Sequence, residues 1–117
     1  MRRTITQAVA LAAMLTGTQV LADGSTDMCL DMSGTDEDQC ACAEETLAGT
    51  LAAEDYDLYT KIGTLYIANM AAGQEMADAW DAGLELVANE HGLGTSDLRS
   101  RMNDAGKAHR EAIDACG

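Results

Sequence analysis

Through the second half of the chain, apolar residues recur at spacings of three and four, the repeat of a helix that buries one face. The clearest line is Leu98, Met102, Ala105, His109, Ala112 and Cys116, which predicts a helix over residues 97–115 with Thr95 or Ser96 as its cap. Upstream, Met76, Trp80, Gly83, Leu84 and Val87 share one side of a helix expected over 74–91, with Gly73 before it and Gly92 and Gly94 after it. Residues 53–72 differ, because Leu58, Tyr59, Ile62, Leu65, Tyr66, Ile67 and Met70 cover an arc of about 200°, against about 100° for an ordinary surface helix. Only a strip near Asp57, Lys61 and Thr64 stays polar, so this helix is expected at the centre.

A first helix is expected over 36–51. Thr35 is the anticipated N-cap, and Asp36, Glu37 and Asp38 occupy the first turn, where carboxylates complement the positive helix end. Residues 23–34 are rich in Gly, Ser, Thr and Asp and have no period, which predicts a flexible acidic leader anchored by Cys29. No stretch alternates as a strand does, and no repeat recurs at fixed period. Short connections favour antiparallel neighbours. The expected fold is therefore all-α, a small bundle of about four helices spanning residues 35–117.

Residues 1–22 read as a signal rather than as structure. Arg2 and Arg3 precede an apolar run over 8–15, and Val20-Leu21-Ala22 places small side chains where a signal peptidase reads. The expected cut lies before Asp23. The surroundings of the two arginines match a twin-arginine signal poorly, which points to the ordinary secretion route. No uninterrupted stretch reaches the roughly 18 apolar residues of a membrane span, so no membrane insertion is expected after cleavage.

Composition sharpens this picture. The 117 residues contain no proline and no phenylalanine and carry a formal charge of −13. Removing residues 1–22 takes away two bases and no acid, leaving five bases against twenty acids, a charge of −15. The acids are concentrated: residues 23–90 hold sixteen of them against the single Lys61, whereas 91–117 hold four acids and four bases. The locally neutral C-terminal segment suits packing against acidic neighbours. Such a negative surface repels nucleic acid and anionic lipid and attracts cations or basic partners.

All four cysteines, Cys29, Cys40, Cys42 and Cys116, follow the expected cut, and an even count in a short exported chain implies two disulfides. At 100° per residue, Cys40 shares a face with Leu47 and Leu51, while Cys42 lies about 200° round with Gly49 and Ala53. The two cannot comfortably bridge each other. The favoured pairing is Cys40 with Cys116 and Cys29 with Cys42, which would pin the leader outside; Cys29 with Cys40 and Cys42 with Cys116 is the alternative. In the chain-entropy model a loop of about 75 residues contributes on the order of 4.5 kcal/mol and one of about 13 residues on the order of 3 kcal/mol. Either is a large share of a domain's roughly 5–15 kcal/mol.

Residues with chemical potential are few. His109 sits inside an apolar line, where an imidazole serves either as a hydrogen-bonded core group or as a ligand. His91 falls in the last turn of its helix, where a partly positive ring complements the helix end. Met28, Met32 and Cys29 lie close together, and soft sulfur suits cuprous copper. Met70, Met76 and Met102 fall on apolar faces and read as core fillers. The acids over 31–38 lack the alternation of a calcium loop. Tyr56, Tyr59, Tyr66 and Trp80 supply every aromatic ring and form the candidate surface for a ligand or partner. Neither Glu44 with Glu45 nor any nucleophile turn marks a catalytic centre.

The sequence therefore leads to the expectation of a non-enzymatic protein of the bacterial cell envelope, periplasmic or secreted. It would need no cofactor and act as a small binding module toward another exported protein or a small ligand. The alternatives are a copper or other metal-handling protein using Met28, Met32, His91 or His109, and an acid-stress chaperone that exposes apolar surface as its carboxylates protonate.

Overall fold

The computed structural model describes residues 24–117 as five helices. They are α1 (Gly24–Asp31), α2 (Glu37–Thr50), α3 (Ala53–Ala71), α4 (Met76–His91) and α5 (Thr95–Cys116). The expected signal peptide lies outside the described residues. Among the described residues there is no strand, and no helix is long and apolar enough to cross a membrane.

The four expected helices are present within two residues of their anticipated limits. The wide apolar arc of α3 finds partners on several sides: it packs on α1, α4 and α5, and touches α2. Leu47, Leu58, Tyr59, Ile62, Leu84, Val87, Leu98 and Met102 meet in the main core. Polar contacts fix the register around it. Asn69 Nδ2 donates to the Ala79 carbonyl at 3.1 Å, joining α3 to α4. Arg101 Nε donates to Asp55 at 2.8 Å and Arg99 to Asp81 at 2.8 Å, so the bases of α5 do lie against acids of α3 and α4.

Two helix starts differ from expectation. Asp36, not Thr35, caps α2, its carboxylate accepting from the Gln39 backbone N–H at 2.8 Å. Thr35 instead closes the preceding helix, donating its hydroxyl to the Cys29 carbonyl at 2.6 Å. Gly94 occupies the cap position of α5, with no side-chain bond from Thr95 or Ser96.

The larger correction concerns the leader. Residues 24–31 are helical, and Gly24, Ser25 and Cys29 are buried. The segment lacks an apolar stripe because it packs through small side chains. A Cβ on Gly24 would fall 2.0 Å from the Thr60 carbonyl oxygen, and one on Gly63 would fall 2.6 Å from Met28 Cε and 3.0 Å from the Gly24 oxygen. Glycine at both positions lets the backbones of α1 and α3 come together at a distance no other residue permits.

With α1 inside, the cysteines pair as Cys29–Cys40 and Cys42–Cys116, the alternative and not the favoured pairing. The helix-face geometry of α2 was sound: Cys40 points inward with Ala43 and Leu47, and Cys42 outward. The error lay in placing Cys29 outside. Cys29 and Cys40 are both fully buried and form a second small core with Ala43, Ala112 and Ile113. Gln39 Nε2 adds a bond to the Ile113 carbonyl at 2.9 Å, so α2 and the end of α5 are held by a disulfide and by polar contact.

Candidate functional site

Docking α1 against α3 leaves a groove of about 780 Å³ bounded by α1, α3, α4 and α5. One wall is Met28 and Asp31 of α1 with Met32 just past its end; Tyr59 and Tyr66 come from α3, Met76 and Trp80 from α4, and Met102, His109 and Arg110 from α5. Met28 on α1 and Met32, the residue that follows its end, both reach the groove. The end of Met28 is held over Gly63.

The groove floor is a chain of rings. Tyr59 Oη and His109 Nδ1 are 2.8 Å apart and share a hydrogen bond, and the two rings meet edge to face with centroids 5.4 Å apart. Trp80 lies 6.2 Å from Tyr59 and 5.8 Å from Tyr66, the latter contact also edge to face. Such tilted arrangements suit the ring quadrupoles. Burial pushes the Tyr59 phenol well above its usual range; Arg110 opposes that shift and Glu44 adds to it. Tyr66 is raised in the same direction, by burial first and then by the Asp31 carboxylate. Tyr59 is thus a neutral hydrogen-bonding group across the physiological range.

This groove unites residues that were separate candidates in the sequence. Tyr59, Tyr66 and Trp80 meet Met28, Met32 and His109 there. Tyr56 does not join them; it packs against the main core. His91, exposed at the end of α4, lines a different groove of about 810 Å³ with Glu54, Asp57 and Lys61, so the two histidines do not belong to one site. Cys29 drops out as a metal ligand because its sulfur is in a disulfide. Met76 is 67% exposed and Met102 only 1% exposed, so the core-filler reading holds for Met102 but not for Met76. Among the described residues, no three His, Cys, Asp or Glu side chains gather where they would hold a metal ion.

Sequence reasoning missed Arg110 and Asn103, which also edge the groove. Arg110 follows His109, and its neighbourhood was visible only as part of a neutral C-terminal segment. No known protein family, curated protein or solved structure matches the chain.

Proposed function

We propose that the protein is an exported, non-enzymatic binding module of the bacterial cell envelope whose ligand occupies the groove between α1, α3, α4 and α5. One observation carries this reading: four of the five methionines in residues 24–117, and three of the four aromatic residues, line this one groove. A volume of about 780 Å³ lies within the range of small-ligand sites, about 300–1,000 Å³. Thioethers and ring faces recognise soft or apolar groups, and unbranched methionine adapts to the shape it meets. Asp31, Asn103 and Arg110 supply the few polar contacts that orient a ligand. Export is supported by the two closed disulfides, which belong to an oxidising compartment.

Trp80 is the sole tryptophan and therefore an internal reporter of the groove. Titration with the neutral dye N-phenyl-1-naphthylamine is expected to show saturable energy transfer from Trp80, weakened in Tyr66→Ala. Non-saturable transfer, or equal binding by that variant, contradicts the reading.

A further inference from the structure

Apolar character alone does not explain the lining of the groove. Residues 24–117 contain nine leucines, and none of them lines it, whereas four of five methionines do. Ile113 is the one branched aliphatic side chain present. Leucine is the ordinary choice for apolar surface, and this chain uses it freely in the main core. The selected feature is sulfur.

Packing accounts for Met28 and Met102, which lie with the main core, but not for the other two. Met32 is 44% exposed and Met76 is 67% exposed, so neither thioether fills the core. Met32 directly follows the last residue of α1, and Met76 opens α4 on the wall carrying Trp80. Met102 lies beneath them, buried on α5. Resting on the reading of this groove as the binding site, we infer that its ligand is a cuprous ion, taken by the thioethers of Met28, Met32 and Met76 beside the Trp80 indole.

Thioether sulfur is a soft, neutral donor that prefers monovalent copper to hard divalent cations. The indole face adds attraction for a cation next to it. Asp31 at the groove and the overall negative charge draw cations toward the surface, against the single Arg110 guanidinium at the same groove. His109 Nδ1 is engaged by Tyr59, and the thioethers form the principal donor set of the inferred site. Neutral donors impose little dependence on pH near neutrality, in contrast to a thiolate or imidazole site.

The test is anaerobic titration of the oxidised protein with cuprous ion against a competing chelator, with zinc in parallel and Trp80 fluorescence as readout. Stoichiometric cuprous uptake, quenching of Trp80 and no comparable zinc uptake are expected. The double variant Met32→Leu, Met76→Leu alters only partly or mostly exposed side chains and keeps the fold; it is expected to bind about tenfold more weakly or worse. Met28→Leu is expected to weaken uptake as well, with an unchanged urea midpoint as the check that its packing over Gly63 is kept. Absence of uptake, preference for zinc, or affinity unchanged in both variants overturns the assignment. Dye binding without cuprous uptake overturns the metal alone and leaves the groove as a binding site; failure of both overturns both.

Discussion

Around Ile62, Leu84, Val87 and Leu98 the helices meet through large aliphatic side chains, whereas around Cys29, Cys40, Ala43 and Ala112 they meet through sulfur and methyl groups with Ile113 as the one large aliphatic. In the first region each buried Leu or Ile contributes about 1.5–3 kcal/mol by leaving water, and the helices need no further fastening. The second region has too little apolar surface for that. It is held by Cys29–Cys40 and Cys42–Cys116, while α1 separately approaches the backbone of α3 at Gly24 and Gly63. The difference has a functional consequence. Segment α1, which carries Met28 and Asp31 into the groove with Met32 just past its end, is fastened through Cys29 and close backbone approach rather than by an apolar stripe of its own.

Breaking the covalent fasteners is the strongest way to test that contrast. Cys42 and Cys116 are 74 residues apart, and replacing both with alanine is expected to cost on the order of 4.5 kcal/mol, read as a fall in the urea midpoint. Cys29 and Cys40 close a separation of only 11 residues, so the same change there costs on the order of 3 kcal/mol. The smaller loss is expected to have the larger local effect, with amide exchange in α1 rising well above that of α3. Equal exchange in both segments would show that α1 holds its place without the bond.

Gly24→Ala probes the backbone contact by itself. Alanine favours helix, yet its Cβ would meet the Thr60 carbonyl, and overpacking of this kind costs about 1–3 kcal/mol. Destabilisation with selective loosening of α1 is expected; a neutral or higher melting temperature would mean the helices separate freely.

The smallest effect concerns Tyr59 in the main core. Burial holds its folded-state pKa above the unfolded value of about 10. The folded chain then keeps a proton that the unfolded chain releases, so stability is fully present below about pH 10 and declines as pH rises toward the folded pKa. Tyr59→Phe is expected to lose about 1 kcal/mol at neutral pH through the bond to His109 and to flatten the alkaline decline. Unfolding curves from pH 8 to about 11 check both parts, the window being set by the phenol reference value. An undiminished decline would assign it to another group.

The same contrast explains what was legible beforehand. Helices α3 to α5 announce themselves because apolar residues recur at helical spacing, as Leu58 and Ile62 do, α2 announces itself by its acidic first turn, and the outward turn of Cys42 follows from its offset from Cys40. Helix α1 left no such trace. Its buried residues are glycine, serine and cysteine, and the need for glycine arises only once Gly63 of another helix is known to lie opposite. That omission led directly to the wrong favoured disulfides. Of the aromatic candidates Tyr59, Tyr66 and Trp80 line one groove and Tyr56 lies apart, and their union with Met28, Met32 and His109 is a property of the tertiary arrangement that no spacing along the chain encodes.

The central claim is that α1 is a packed wall of the groove and not a leader. Nuclear Overhauser effects in the oxidised protein test it most directly. Strong cross-peaks are expected from the Met28 ε-methyl to the Gly63 α-protons, together with cross-peaks from Gly24 to Thr60 and Thr64. Absence of these cross-peaks, with α1 amides exchanging as fast as an unstructured chain, would contradict the account.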